Sequence, residues 1–108
     1  MAKIPPLRLK KYDTTQKIME TLTDSESRVI VFSIIKSAKA ASDIATKYNI
    51  PQSTVYKKLK ELEDLGLIRV DEYNITDSGR KYKMYKSVIR QAVITISGIE
   101  PSLKITSN

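Results

Sequence analysis

The sequence predicts an α+β fold: a helix-turn-helix, then a β-hairpin, then a further β-hairpin or strand at the C-terminal end. Three observations predict it. Residues 42–68 (SDIATKYNIPQSTVYKKLKELEDLGLI) carry two helical patterns that meet at a tight break. Residues 67–86 hold two strand-like runs around the turn-forming Asp77-Ser78-Gly79. From Ser87 onward, β-branched residues dominate and a second alternating run follows Gly98-Ile99-Glu100-Pro101.

Taken in order, the chain begins with MAKIPPLRLKKY, which holds Lys3, Arg8, Lys10 and Lys11 and no acid. Pro5-Pro6 discourages regular structure there. This stretch reads as a basic arm able to touch phosphate or enter a minor groove. It also reads as a solvated tail, or as a lead-in packed by Ile4, Leu7 and Leu9. Asp13 and Gln16 have the spacing of a helix start, and Ile18, Met19 and Leu22 mark a short first helix. Thr23 and Glu26 repeat the capping spacing before Val29, Ile30, Phe32, Ile34 and Ile35, the most apolar helix of the chain. It is expected to form the central core element and to run to about Ser37, with Phe32 in the core.

Ser42 is placed to cap the first helix of the motif, with Asp43 favourable in its first turn. Ile44, Ala45 and Tyr48 follow at helical spacing. Asn49 tolerates the left-handed conformation that ends a helix. Pro51 suits the first position of the next, where its missing N–H would have been unpaired anyway. Val55, Leu59, Leu62 and Leu65 then form one apolar course, and Gly66 stops it.

With that course turned inward, Gln52, Ser53, Tyr56, Lys57 and Lys60 fall on or near the outward face. The acids Glu61, Glu63 and Asp64 are confined to the C-terminal half of the helix. The helix dipole favours the opposite order, so helix stability does not explain the arrangement. A helix entering a major groove uses its N-terminal residues on base edges, and amide, hydroxyl and amine groups suit that task. The candidates for base reading are Gln52, Ser53, Thr54, Tyr56 and Lys57, with Lys58 and Lys60 as backbone contacts. A plain solvated helix face is the competing explanation.

The hairpin after Gly66 returns through Arg80 to Lys86, with Tyr82, Met84 and Lys86 on one face and Lys81, Lys83 and Tyr85 on the other. Between Ser78 and Ile99 there are five basic residues and no acid. Asp71, Glu72 and Asp77 near the turn work against phosphate contact at the tip itself.

Composition bounds the function. A chain of 108 residues supports one domain with a modest core. Nineteen basic against twelve acidic side chains give a formal charge of +7, which suits a polyanionic partner without naming it. There is no His or Cys, no P-loop, no dinucleotide fingerprint and no clear acid cluster, so an enzyme is not expected, nor a metal or other cofactor. No apolar run approaches the roughly 18 residues of a membrane span, and the N-terminus lacks a continuous apolar signal region. A cytoplasmic, nucleoid-associated location without membrane contact is expected.

The run IPQSTVYKKLKELEDLGLI resembles the recognition helix and following strand of winged helix-turn-helix transcriptional regulators. It is most similar to small archaeal and bacterial regulators of the ArsR-like and TrmB-like kind, and the likeness extends weakly over residues 14–90. The resemblance implies three or four helices plus a β-hairpin wing, and a short strand at Lys39-Ala40-Ala41 pairing with that wing. It also implies that Arg80, Lys81 and Lys83 lie near the sugar-phosphate backbone, where contacts position the domain without reading sequence. With no Cys or His, the ligands of metal-sensing relatives are absent, and metal sensing is not carried over.

The expected organisation is a basic arm over 1–13, the winged domain over 14–90 and a β extension over 91–108. The expected function is sequence-specific binding of double-stranded DNA to regulate transcription. A non-specific architectural nucleic-acid binder and a protein-contact module of a transcription or replication assembly are the alternatives. Val93, Ile94, Ile96, Leu103 and Ile105 are candidates for a homodimer seam, because two terminal strands leave an edge to be covered. Folding back onto the chain's own helices would serve as well.

Overall fold

The computed structural model describes residues 6–108, with side chains from residue 14 onward. Four helices and five strands follow in the order α1 (Pro6–Thr23), α2 (Ser25–Ser33), β1 (Lys39–Ala40), α3 (Ala41–Tyr48), α4 (Gln52–Asp64), β2 (Ile68–Ile75), β3 (Lys81–Ser87), β4 (Ile89–Thr95) and β5 (Ser102–Ser107). A three-stranded antiparallel sheet has the order β1-β3-β2, and β4 with β5 makes a separate hairpin. Helix-turn-helix plus three-stranded sheet is the winged helix-turn-helix the sequence led us to expect.

The first helix starts at Pro6, not at Asp13. Proline costs little in a first helical turn, where the amide has no acceptor in any case. Lys3 and the opening of the expected basic arm lie outside the described residues, as do the side chains of Arg8, Lys10 and Lys11.

The second helix also begins differently. Its N-cap is Asp24, whose carboxylate accepts from the Ser27 amide at 3.0 Å and from the Ser27 hydroxyl at 2.9 Å. Thr23 instead turns its hydroxyl back to the Glu20 carbonyl. The helix ends at Ser33 rather than near Ser37. The Ser33 hydroxyl donates to the Ile30 carbonyl and the Lys39 ammonium to the Ser33 carbonyl, so the last turn finds partners other than a further turn of helix.

Phe32 is not in the core: it is 39% exposed, and Val29 beside it is 36% exposed. The inward face of α2 is taken by Ser27, Ile30 and Val31, with Ile34 just past the helix end. Ser27 can occupy a core position because Asp24 satisfies its hydroxyl. Val29 and Phe32 are thereby rotated outward.

The core joins Ile30, Val31 and Ile34 to Ile44, Val55, Leu59, Leu62, Leu67, Ile68, Tyr85 and Ile89. Burying an aliphatic side chain of this size contributes about 1.5–3 kcal/mol, so the Val55-Leu59-Leu62 stripe fixes which face α4 turns outward. At the break, Asn49 takes φ 53 and ψ 47, and Ile50 is buried. Pro51 stands at the N-cap of α4, one place before the expected first helical position. Ala40, not Ser42, stands at the N-cap of α3 and makes no side-chain cap bond, because β1 runs straight into that helix. Gly66, at φ 76, ends α4, with the Leu67 amide returning to the Leu62 carbonyl.

Lys39 pairs with Tyr85 and Ala40 with Met84, as the resemblance implied for a short strand at this point. The β2–β3 register shifts between Val70 and Glu72. Past that bulge, Tyr73 pairs with Lys83 and Ile75 with Lys81, while Glu72 and Asn74 pair with Met84 and Tyr82. Directly paired residues share a face. Lys81 and Lys83 therefore lie on the same face as Tyr85, which is buried against the helices, and overhang the body beyond it.

Candidate nucleic-acid interface

The outward face of α4 carries Gln52, Ser53, Lys57 and Lys60, all exposed, and Tyr56, 53% exposed. Two other expected contact residues are less exposed. Thr54 is half-buried at the start of the helix. Lys58 points into the body, where its ammonium sits 2.7 Å from the Asp24 carboxylate with the side chain only 18% exposed. It thus ties α4 to the start of α2. That bond, with the Ser27 bonds behind it, holds the Asp24 carboxyl at about 2, and Asp24 in turn pushes the Lys58 ammonium up. Lys60 reaches Asp64 at 3.8 Å, but both side chains are largely exposed, so the pair constrains Lys60 little.

The wing faces this helix across an open groove of about 670 Å³. Gln52 and Tyr56 line it from α4, and Ile75, Arg80, Lys81 and Lys83 line it from the wing. The five residues Gln52, Tyr56, Arg80, Lys81 and Lys83, chosen separately from the sequence, thus border one space. Ser53 and Lys57 are on the exposed surface of α4 but are not part of the groove lining.

Two side chains were not singled out by the sequence. Tyr73 and Ile75 share the groove-side face of the wing with the lysines and are 53% and 67% exposed. The Lys81 ammonium lies over the Tyr73 ring, 5.1 Å from its centroid, an attraction that restricts where the lysine can reach. The signal was present as alternation in β2, but the bulge at Asp71 resets the alternation and hides which residues oppose the lysines.

The acids near the turn divide. Asp71 is held by Arg69 at 2.6 Å, and Glu72 lies on the opposite face of the wing from Lys81 and Lys83. Asp77 lines the groove, as does Asp43 from α3. Amides, hydroxyls and ammonium groups on α4 and cations across the groove suit base edges and phosphates respectively. Among the described residues, no group of His, Cys, Asp or Glu could hold a metal ion, and no helix is long and apolar enough to cross a membrane.

The comparisons bear on family and fold. A family model described as "Sugar-specific transcriptional regulator TrmB" matches residues 21–90, a span holding α2, the helix-turn-helix and the wing. Among solved structures, the crystal structure of NolR from Sinorhizobium fredii is similar with a TM-score of 0.60, covering 81% of this chain and 81% of that one. At 17% identity, that likeness is one of fold. No curated protein matches the sequence.

Proposed function

This chain belongs to the TrmB family of transcriptional regulators, and from that premise we propose that it recognises particular duplex sequences by laying the N-terminal half of α4 in a major groove. Gln52, Ser53, Tyr56 and Lys57 meet base edges. Arg80, Lys81, Lys83 and Lys60 meet the sugar-phosphate backbone. Lys58 is left out of the contact set because it is engaged with Asp24. The matched residues 21–90 carry the helix-turn-helix and wing, so the part of the family description taken over is DNA-linked regulation.

The observation that carries the reading is the open groove shared by Gln52 and Tyr56 with Arg80, Lys81 and Lys83. A pure backbone binder gains little from an exposed amide and phenol at the start of a helix, whereas base edges pair with both. The backbone lysines and arginine set orientation and salt dependence. One copy offers a single short recognition helix. Two copies related by a two-fold axis read an inverted repeat, with half-sites one helical turn or a multiple apart.

Binding to labelled promoter fragments against excess competitor duplex, over a range of salt, tests the proposal. Tighter binding to particular fragments at every salt concentration is expected. Equal affinity for every duplex would favour an architectural role, and absence of binding would favour a protein-contact role.

A further inference from the structure

The face of the wing turned away from the recognition groove carries a second cationic place. Arg69 and Lys86 are direct cross-strand partners at the base of β2 and β3. The next pair, Val70 with Tyr85, faces the body, where Tyr85 is buried, so Arg69 and Lys86 lie on the opposite face. Like charges directly opposite each other in a sheet destabilise it. Asp71 offsets one of them, taking the Arg69 guanidinium at 2.6 Å. The Lys86 side chain has no ion pair or hydrogen bond among the described residues, although Lys86 is half-buried. One positive charge is left uncompensated at this corner.

The two cations border a recess of about 300 Å³. Ile35, just past α2, and Val88 supply its apolar lining, and Ser107 and Asn108 close it from the end of β5. The Asn108 side-chain amide donates to the carbonyls of Ile35 at 2.9 Å and Ser87 at 3.0 Å, and its main-chain N–H donates to the Val88 carbonyl at 2.9 Å. Three carbonyls that would repel an anion are thereby already paired. The Ser107 hydroxyl makes no hydrogen bond among the described residues. Two cations and a free hydroxyl remain for a ligand.

We propose that this recess binds a phosphate group, carried by a small phosphorylated metabolite or by a nucleic-acid backbone. A phosphate monoester brings a charge of about −2 and three acceptor oxygens, enough to meet the lysine, the arginine and the hydroxyl together. A single carboxylate offers two oxygens and half the charge. The volume is at the small end of ligand sites, which suits a phosphate with little attached to it. The site is independent of the DNA reading above, since Lys81 and Lys83 project from the other face of β3. A bound phosphate touches the wing, the end of α2 and the C-terminal hairpin at once, and so ties the hairpin to the wing base.

The test follows amide shifts of the isotope-labelled full chain as inorganic phosphate replaces chloride at constant ionic strength, with acetate as the control anion. The amides of Arg69, Lys86, Ser107 and Asn108 should move together and saturate, with a Kd on the order of 1 mM. Lys86→Gln should raise that Kd about tenfold, the worth of one charge-assisted hydrogen bond. By relieving the like-charge pair it should also leave Tm in chloride no lower than that of the wild type. Lys47→Gln, on α3 and outside the recess, should leave the Kd unchanged. Shifts that fail to saturate would mean an adventitious ion only. That result, equal saturation by acetate, or an unchanged Kd in Lys86→Gln would overturn the site. Glycerol 3-phosphate and a short duplex, added separately, identify the source. Saturation of the same amides by the ester while duplex is bound assigns a small metabolite, and movement of these amides by duplex in competition with phosphate assigns a backbone phosphate. Phosphate binding in a chain that binds no duplex would uphold the recess and remove the DNA reading.

Discussion

Replacing Asp24 tests how the recognition helix is held. One carboxylate oxygen takes the Ser27 amide at 3.0 Å, the Ser27 hydroxyl at 2.9 Å and the Lys58 ammonium at 2.7 Å. Loss of an N-cap acceptor costs about 1 kcal/mol. Loss of the charged partner adds about 1 kcal/mol, after allowing for an Asp24 side chain that is 42% exposed. Asp24→Ala should therefore cost about 2 kcal/mol, and Asp24→Asn, which keeps an acceptor for the cap, about 1 kcal/mol. In a domain of this size each kcal/mol lowers Tm by about 4–8 °C. Urea denaturation at neutral pH reads the difference directly. The acid limb gives a second reading. The Asp24 carboxyl, lowered from 3.8 to about 2, contributes its full stability above pH 4 and loses it as pH falls toward 2. The gap between wild type and Asp24→Asn should close over that range. Equal stability of wild type and Asp24→Asn at pH 7, or a gap unchanged at pH 2, would refute the assignment of this carboxylate as the clamp between α2 and α4.

Three further outcomes follow from the same structure. Lys58→Met should destabilise the fold by about 1 kcal/mol yet leave the slope of log affinity against log salt as in the wild type, measured by fluorescence anisotropy with a labelled duplex. Lys83→Ala should weaken binding to every duplex alike and reduce that slope by about 0.9, the loss of one phosphate contact. Asn49, held at φ 53, should accept Gly with a change within about 0.5 kcal/mol, whereas Asn49→Val should cost about 1–3 kcal/mol in denaturant titrations.

What could be read from the sequence was local. The left-handed Asn49 before Pro51, the Val55-Leu59-Leu62 stripe and the stops at Gly66 and Gly79 each follow from the conformational range of one residue or the period of one helix. The outward face of α4 follows from that stripe. What could not be read depends on partners distant in sequence. Lys58 and Asp24 are 34 residues apart, and nothing near Lys58 indicates that it turns inward. Ser27 joins Ile30 and Val31 on the inward face of α2 with its hydroxyl satisfied by Asp24, which leaves Phe32 on the outward one. The bulges near Asp71 and Arg90 each add one residue to a strand, so faces counted by simple alternation come out wrong beyond them. This is why Tyr73 and Ile75 were missed beside the wing lysines.

Parallel selection of bound sites from random duplexes, by the wild type and by Gln52→Ala, tests the role given to α4 most directly. The wild type should enrich one motif, and the variant should relax or change it at one position while keeping the remainder. The same motif recovered unchanged from both proteins, with Ser53, Tyr56 and Lys57 replaced in turn to no effect, would contradict recognition by this helix.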